Sequence, residues 1–318
     1  MFRQFLEHTF PVVNLFDKSI RLKINNDCQL SCLYCHREGS KHSSSFTFLP
    51  NDINKIVSLS KELRRNKIHI TGGEPTLNKD IIKIIKEFRK NDLNISITTN
   101  GIIRKPVLEE LIDSGVNSFT ISIHTIKPED FIQYHRKKIT YNQAEQWIEQ
   151  IFYNIEFLLA NNFSPEINMI VSDKLSQNEL MDKCFNQLSL KINLLSTVDS
   201  SYKNTSEKIK LIKQYNLKPY QYVRLLNCSR AKYDFIDDRD NIISFKVLEN
   251  YYLNSLCNDC ERKIFCDEKY YGIRIEKQKN KILIRPCLLK KILIPIEDFN
   301  KTHIGKEILK QQEYATEN

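Results

Sequence analysis

Three cysteines stand close together near the amino terminus, in the stretch RLKINNDCQLSCLYCHREG. Cys28, Cys32 and Cys35 are spaced C-x3-C-x2-C, in a loop that directly follows a predicted strand. A [4Fe–4S] cluster usually takes four cysteine ligands. Three close thiolates with no fourth cysteine nearby therefore predict a cluster that keeps one iron open for an external ligand, and an open coordination position is where metal chemistry takes place.

A structural zinc site of these three cysteines with His36 is the alternative for the same loop. The segment ITGGEP, which follows the second predicted strand, argues against zinc. Its paired Gly72 and Gly73 allow main-chain N–H and C=O groups to approach a ligand without a Cβ in the way. A zinc ribbon has no need of such a turn at the end of the next strand, so the two motifs together favour the cluster.

Four further cysteines lie towards the carboxyl end, in CNDCERKIFC and RPCL, and predict a second metal site. The spacing C-x2-C-x5-C-x20-C is that of Cys257, Cys260, Cys266 and Cys287. This spacing suits zinc and iron–sulfur clusters equally well. Cys184 and Cys228 belong to neither group and stand among apolar neighbours, so we expect buried structural thiols there.

A repeating pattern of secondary structure must position these motifs. From residue 20 onwards, short β-rich segments alternate with longer amphipathic ones, which is typical of βα units around a parallel sheet. The predicted strands lie near residues 20–25, 67–71, 94–99, 117–124, 166–172 and 190–196. The predicted helices cover residues 51–65, 79–91, 106–114, 143–161, 176–187 and 205–214. An open sheet and a barrel share this periodicity, so the pattern alone leaves both possible.

The alternation stops after about residue 216, where hairpin-like pairs take its place. One pair is YDFI and NIISFK around DDRDN, and the other is YGIRIEK and KILIRPC. We therefore predict a lead segment over residues 1–19, a core of βα units over residues 20–215, and a smaller cysteine-bearing domain with its tail over residues 216–318.

The composition predicts a cytoplasmic globular protein. With 318 residues, 41% of them hydrophobic, the chain can bury a substantial core. Its net charge of +9 comes from scattered basic residues, which indicates a solvated lysine-rich surface and does not support nucleic-acid binding. No run of apolar residues resembles a signal peptide or reaches membrane-spanning length, so we expect no membrane partner. Nine cysteines, an odd number with two tight groups, favour metal ligation over disulfides.

The cysteine loop, with the aromatic Tyr34 before its third cysteine, and the GGE turn after strand two together resemble the radical S-adenosylmethionine (SAM) superfamily. The resemblance implies a partial (β/α)6 TIM-like barrel with the cluster at the carboxyl ends of the strands. It also implies that SAM chelates the open iron through its methionyl amino and carboxylate groups. An electron from a reductant such as flavodoxin or ferredoxin would then cleave SAM, giving a 5′-deoxyadenosyl radical that abstracts a substrate hydrogen.

The resemblance also implies which residues contact SAM. Gly72, Gly73 and Glu74 would line the methionyl amino group, and Tyr34 would lie near the adenine. Further matches at strand ends are Ser122 in ISIHT and Asn168 in INMIV, which are expected SAM contacts. His124 is either an acid–base group at the barrel mouth or a hydrogen-bonded interior histidine.

The region after the core resembles the twitch or SPASM type of extension, which carries an auxiliary [4Fe–4S] cluster. The segment YGIRIEKQKNKILIRPCL is especially similar to that of the GTP 3′,8-cyclase family, and this resemblance runs from about residue 20 to residue 290. It implies that Arg21 and Arg274 contact the substrate. Cys266 is an additional thiol, so four thiolates are expected to close the auxiliary cluster, the alternative being that Cys266 does not bind it.

The chain also departs from that family. His69 stands where the family has an arginine and Glu166 where it has a substrate-contacting lysine, so both changes remove positive charge from a triphosphate site. The chain ends in EYATEN and not in the family's Gly-Gly tail. We therefore expect a substrate other than GTP, either a nucleoside-like or other small metabolite or a peptide. The alternatives are a GTP 3′,8-cyclase and, from another class, a non-catalytic iron–sulfur or zinc binding module that fails to bind SAM.

Overall fold

The computed structural model describes residues 10–35, 47–171, 177–196 and 205–314, with the backbone alone for 205–208 and 312–314. Thirteen strands in these residues form one curled sheet. The strands are β1 (Val12–Leu15), β2 (Ser19–Lys23), β3 (Lys67–Thr71), β4 (Asn94–Thr99), β5 (Ser118–Ser122), β6 (Glu166–Ile170), β7 (Ile192–Leu195), β8 (Lys218–Leu225), β9 (Arg230–Ile236), β10 (Ile242–Leu248), β11 (Arg274–Gln278), β12 (Lys281–Ile284) and β13 (Ile294–Pro295). Their order across the sheet is β1-β8-β9-β10-β7-β6-β5-β4-β3-β2-β11-β12-β13.

Helices connect the strands of the core and follow the last strand. They are α1 (Pro50–Glu62), α2 (Ile81–Arg89), α3 (Lys105–Asp113), α4 (Pro128–Gln133), α5 (Tyr141–Ala160), α6 (Asn178–Met181), α7 (Thr205–Gln214), α8 (Asn254–Cys257) and α9 (His303–Tyr314). A π-helical turn, Asp182–Gln187, continues α6, and 3₁₀ turns cover Pro75–Leu77 and Ile296–Lys301. Proline at the first or second position fixes the start of α1, α3 and α4.

Six consecutive parallel strands, β2 to β7, form the barrel core. This arrangement confirms the predicted α/β fold class and the predicted strands and helices of the core. In β2, Ile20 and Leu22 are fully buried and face the helices, whereas Arg21 lies on the opposite face. Arg21 pairs with His69 in β3, which in turn pairs with Ser96 in β4. The outer face of the barrel wall is therefore apolar and its inner face is polar.

The strands after the core extend the same sheet at both of its edges. Strand β10 pairs in parallel with β7, with Ser244 opposite Asn193. Strand β11 pairs in parallel with β2, with Arg274 opposite Arg21. The two predicted hairpins are present as β9–β10 and β11–β12, both antiparallel. The sheet is thus continuous from the core into the region after residue 215, and the division of the chain at that residue stays a prediction.

The described helices include none that combines the length and the apolar character needed to cross a membrane.

Candidate metal and cofactor site

The first cysteine group lies in the loop that follows β2, at the carboxyl end of the barrel strands. Cys28 and Cys32 are partly exposed and Cys35 is exposed. Burial is the main cause that raises the pKa of Cys28 to about 12, and the nearby charges of Cys32 and Cys35 add to it. The three thiols therefore lie within electrostatic reach of one another, and the binding of iron would favour their thiolate forms.

The zinc alternative for this loop requires one ion held by the three cysteines and His36. No three His, Cys, Asp or Glu side chains in the described residues are arranged to hold one ion. A [4Fe–4S] cluster takes its cysteines at separate irons, so its ligands do not have to converge on one point. His36, the fourth ligand of the zinc alternative, lies outside the described residues.

The segment after α4 fixes the cysteine loop from one side. The Leu33 N–H donates to the Tyr134 carbonyl at 2.9 Å, and the Arg136 guanidinium donates to the carbonyl oxygens of Cys32 and Leu33. The Nε2 atom of His135 lies 3.4 Å from the Sγ of Cys32. Sequence reasoning missed these residues, because they stand about a hundred positions after the cysteines without a recognisable spacing.

The Gly72–Gly73 turn packs directly against the start of the cysteine loop. A Cβ on Gly73 would lie 2.3 Å from the carbonyl oxygen of Asp27, and one on Gly72 would lie 2.1 Å from the Oδ1 of Asn25. The Gly73 N–H donates to the Asn25 carbonyl at 3.1 Å. The described contacts thus give these glycines a packing role, since they let two loops meet without a Cβ between them. Their contact with SAM stays a prediction.

Glu74 is fully buried, and its carboxylate joins the ends of β3 and β4. One oxygen, Oε1, accepts from the N–H of Thr76 at 3.1 Å, from its hydroxyl at 2.8 Å, and from the Thr99 hydroxyl at 2.8 Å. The other, Oε2, accepts from the Asn100 N–H at 2.8 Å. Burial raises the pKa of Glu74, and these donors oppose the rise. The carboxylate is therefore a positioning group, and its contact with the methionyl amino group stays a prediction.

A cleft beside the cysteine loop is lined by Tyr34, Asn100, Ser122 and His124. The Tyr34 and His124 rings meet edge to face, with centroids 4.8 Å apart. The Nδ1 of His124 accepts a hydrogen bond from the Ile170 N–H at 3.1 Å, and burial lowers the pKa of His124 to about 3. Of the two possibilities left open by the sequence, the hydrogen-bonded interior histidine fits this geometry, because the ring stays neutral at physiological pH.

Two buried polar atoms, one in the cysteine loop and one at the end of β3, bear on whether SAM fits the site. Gln29 Oε1, in the cysteine loop, and Thr71 Oγ1, just before Gly72, are buried and have no hydrogen-bond partner among the described residues. A buried polar atom without a partner costs about 1–3 kcal/mol. A polar ligand that reaches these atoms would remove that cost. The residues present therefore fit SAM beside an open iron.

The two departures from the cyclase pattern both lie on the inner wall of the barrel. The His69 ring bonds the Ser96 hydroxyl at 2.8 Å and the Thr98 hydroxyl at 2.9 Å, and burial lowers its pKa well below the ordinary value. Glu166 accepts from Lys191 at 2.8 Å and from Asn193 at 2.9 Å. Burial alone would raise the pKa of Glu166, but Lys191 outweighs it and the pKa falls to about 2. The wall thus has a neutral imidazole and an ionised carboxylate at these positions.

The second cysteine group gathers around α8 and the loop after β12. The charges of Cys266 and Cys287 raise the pKa of Cys257, after burial as the main cause. Main-chain N–H groups point at two of the sulfurs, from Lys269 to Cys266 at 3.1 Å and from Lys290 to Cys287 at 3.4 Å. Such N–H···S contacts are typical of iron–sulfur ligands and tune their potential. The additional thiol, Cys266, therefore lies within electrostatic reach of Cys257, as Cys287 does.

The fourth cysteine of the second group, Cys260, lies next to Cys257. Cys260 follows Cys257 in a tight turn, with its N–H donating to the Cys257 carbonyl at 3.2 Å.

Arg274 forms a buried ion pair with Glu268 at 2.7 Å. Three guanidinium groups surround the ring of Tyr271, those of Arg274 at 4.8 Å, Arg230 at 5.2 Å and Arg21 at 5.7 Å from its centroid. Sequence reasoning missed Arg230, because only the folded sheet brings β9 to this place.

Cys184 and Cys228 are both buried, as the sequence predicts. Burial raises the pKa of each thiol. Neither lies in the cysteine groups described above.

The comparisons with known proteins agree with this site. The model of the radical SAM superfamily matches residues 22–180. A probable GTP 3′,8-cyclase of Pyrococcus abyssi is 27% identical over 263 residues, covering 79% of this chain and 81% of that protein. One of Methanococcus aeolicus is 29% identical over 303 residues, covering 90% of this chain and 93% of that protein. Among solved structures, Streptococcus suis SuiB bound to S-adenosylmethionine has the same fold, with a TM-score of 0.56 and 14% identity over 92% of this chain and 68% of that chain.

Proposed function

This chain belongs to the radical SAM superfamily, and from that premise we propose that Cys28, Cys32 and Cys35 hold the [4Fe–4S] cluster that this enzyme uses with SAM. The observation that carries the proposal is the position of the three thiols at the carboxyl end of the barrel, beside buried polar atoms that have no hydrogen-bond partner in the part of the chain that the structure describes. When bound, the cluster and SAM supply a 5′-deoxyadenosyl radical that abstracts hydrogen from the substrate.

The chain's own residues have positioning and shielding roles in this proposal. The Gly72–Gly73 turn and the Glu74 carboxylate hold the strand ends against the cysteine loop. Tyr34, Ser122 and Asn168 are the proposed SAM contacts along the cleft and the inner wall. The apolar outer face of the wall, covered by helices, holds the strands that position these residues.

The second cysteine group is the proposed site of the auxiliary [4Fe–4S] cluster. Its support is the mutual approach of Cys257, Cys266 and Cys287, together with the N–H groups directed at two of the sulfurs. Four thiolates, including that of Cys260, would close the coordination shell of the cluster. A closed cluster relays or tunes electrons and does not hold the substrate.

The proposed partners are a small-molecule substrate first and a peptide second, with an electron donor such as flavodoxin or ferredoxin. The proposed location is the cytoplasm, where thiols remain reduced and available to iron. The polar inner wall supports a substrate with several hydrogen-bonding groups.

The test is reductive SAM cleavage by the anaerobically reconstituted full chain. With a strong reductant, we expect 5′-deoxyadenosine and methionine in the product mixture. Candidate substrates deuterated at their C–H positions then identify the attacked carbon, because deuterium appears in 5′-deoxyadenosine. Absence of SAM binding to protein that carries both clusters would favour the non-catalytic module instead.

A second candidate function is GTP 3′,8-cyclase activity, which is favoured by the similarity to probable cyclases along 90% of the chain. The neutral His69 and the ionised Glu166 on the inner wall weigh against it. Each charge-assisted contact to a phosphate contributes about 1.5–3 kcal/mol, so an exchange of two cations for one carboxylate should weaken triphosphate binding severely. Conversion of GTP to its 3′,8-cyclised product at an ordinary enzymatic rate would establish this second function.

A further inference from the structure

Lys246 places an ammonium group on the inner wall of the barrel, on β10 and beyond the residues that match the superfamily model. In the register of the sheet, Ser244 lies opposite Asn193, and Asn193 lies opposite Asn168. Side chains two positions apart in a strand share a face, so Lys246 points to the same side as Ser244. Its Nζ atom lies 3.3 Å from the Oδ1 of Asn168. The ammonium group therefore faces the interior, beside a residue that is a proposed SAM contact.

Three other cations of this part of the wall have carboxylate partners. Lys191 pairs with Glu166 at 2.8 Å, and Lys232 pairs with Asp234 at 2.8 Å. Arg230, on β9, pairs with Asp17 at 2.5 Å.

Lys246 differs, because no carboxylate of the described residues forms an ion pair with it. The charge of Glu166 acts on Lys246, but the two oxygens of Glu166 already accept from Lys191 and Asn193. The polar partner of Lys246 in the described residues is thus a neutral amide oxygen at a long distance.

Positive charge accumulates around this ammonium group. The pKa of Lys246 is lowered to about 8, chiefly by burial; Glu166 opposes the shift, and the charges of Arg21 and Arg230 contribute to it. The same two guanidinium groups lie over the ring of Tyr271, with Arg21 at 5.7 Å and Arg230 at 5.2 Å from its centroid. Removing a cation from water is unfavourable unless a counter-charge accompanies it. This part of the inner wall therefore has the positive charge that would favour the binding of an anion.

We propose that Lys246 binds a single anionic group of the substrate, a carboxylate or a phosphate monoester, and so fixes the substrate against the inner wall. This inference rests on the proposed function and adds the charge class of the substrate to it. The ionised Glu166 beside Lys246 limits the site to one anionic group, because further negative charges on the ligand would meet that carboxylate in a poorly screened interior.

Chemical labelling of the lysines in the reconstituted full chain tests the proposal without a known substrate. Formaldehyde with cyanoborohydride methylates accessible amines, and mass spectrometry of peptides gives the rate at each lysine. Inorganic phosphate and acetate serve as anionic probes, acetamide serves as a neutral probe, and sodium chloride keeps the ionic strength constant. The exposed Lys83 on α2 is the internal reference.

We expect an anionic probe to slow methylation of Lys246 and to leave Lys83 unaffected, with acetamide having no effect. Protection by phosphate alone identifies a phosphate monoester as the substrate group, and protection by acetate identifies a carboxylate. Equal rates at Lys246 with and without both anions would overturn the proposal.

Variants give an independent measurement, with Lys246→Gln as the test and Lys83→Gln as the matched control. Calorimetric titration with the protecting anion should show that Lys246→Gln weakens its binding roughly 10- to 100-fold, whereas Lys83→Gln does not change it. A loss of SAM affinity in Lys246→Gln, at unchanged anion affinity, would assign the ammonium group to the carboxylate of SAM and overturn the proposal. If Lys246→Gln does not fold, the labelling of the natural chain decides.

The failure of this inference differs from the failure of the proposed function. A chain that never cleaves SAM contradicts the proposed function whatever the labelling shows. If the chain cleaves SAM but neither anion slows the methylation of Lys246, only the proposed charge class of the substrate is contradicted.

Discussion

The carboxylate of Glu74 accepts a hydrogen bond of 2.8 Å from the main-chain N–H of Asn100, and this contact joins the turn after β3 to the end of β4. Because the turn packs on the cysteine loop, the position of the loop depends on a buried carboxylate in the turn after β3. Two hydroxyl groups, those of Thr76 and Thr99, depend on the same carboxylate. Disruption of this acceptor should therefore affect both stability and the cofactor site.

We predict that Glu74→Gln lowers the free energy of unfolding by about 1–3 kcal/mol, because one of its donors then faces an NH₂ group. The variant should also bind SAM more weakly, since the glycine turn loses its support. Thermal unfolding and SAM titration of the reconstituted protein measure the two effects. Glu110→Gln, on the exposed face of α3, is the matched control and should change neither quantity. Unaltered stability in Glu74→Gln would contradict the positioning role.

Replacement of one cysteine of the first group should abolish the chemistry and keep the fold. In Cys32→Ala we expect no 5′-deoxyadenosine above background, because the cluster loses one of its three protein ligands. Circular dichroism should show that the secondary structure is retained. Cys184→Ala removes a thiol outside both groups and should still cleave SAM. Normal turnover by Cys32→Ala would end the assignment of this loop to the cluster.

Iron should remain in a chain that lacks the first group. A variant with alanine at Cys28, Cys32 and Cys35 is expected to hold roughly four iron atoms after anaerobic reconstitution, the content of one cubane. Metal analysis and the visible absorption of the cluster are the measurements. Zinc in place of iron would show that the second group is a structural zinc site.

The additional thiol of the second group distinguishes a closed cluster from an open one. Because Cys266 lies with Cys257 and Cys287, we expect Cys266→Ala to lose the auxiliary cluster or to expose one iron to an exchangeable ligand. Electron paramagnetic resonance of the variant without the first group, with and without an added ligand such as imidazole, reports the change. An unchanged spectrum would mean that Cys266 does not bind the cluster.

The loss of folding stability at acid pH should depend on Asp17. Burial alone would raise the pKa of this carboxyl, but Arg230 and Arg65 reverse the effect and hold its pKa well below the ordinary value. An unfolded chain binds the proton near pH 4, so it takes up more protons than the folded chain below that pH. The stabilising contribution of Asp17 is therefore present above about pH 4 and is lost as the pH falls further.

The Asp17→Asn variant measures that contribution. It should be less stable at neutral pH by about 3–5 kcal/mol, because the fully buried Arg65 loses its carboxylate, and its stability should fall less steeply below pH 4. Urea unfolding from neutral to acid pH gives both quantities. Asp238→Asn breaks an exposed pair with Lys218 and should leave the pH profile unchanged. Parallel acid profiles for Asp17→Asn and the natural chain would contradict the linkage.

Most of the core fold is predictable from the sequence, because local patterns encode it. The strand Lys67–Thr71 and the helix Thr205–Gln214 begin and end where alternation and amphipathic spacing predict. The strand Val12–Leu15 and the helices Pro128–Gln133 and His303–Tyr314 were not predicted. The strand Val12–Leu15 is largely exposed and is ordered by its pairing with β8. The helix Pro128–Gln133 is only 6 residues long. Neither has a clear local signal in the sequence.

The candidate site is also predictable only where its residues stand close together in the sequence. Cys28, Cys32 and Cys35 are recognisable because their spacing is local. His135 and Lys246 reach the site from segments far along the chain, and nothing near them in the sequence points to the cysteines or the inner wall. The glycine pair shows a different limit, since the sequence identifies a close approach but not that the approaching group is the backbone of Asp27.

The closure of the sheet by late strands has a consequence for biosynthesis. Strand β2, which leads into the first cysteine loop, has β11 as its neighbour, and Asp17 exchanges hydrogen bonds with Asn227, 210 positions away. Contacts between such distant parts of a chain form slowly, because a long loop must close first. On the ribosome, the edge of the barrel at β2 therefore waits for β11 to emerge. We expect iron–sulfur assembly to follow the synthesis of β11, and chains truncated before β11 to be poor acceptors of the first cluster.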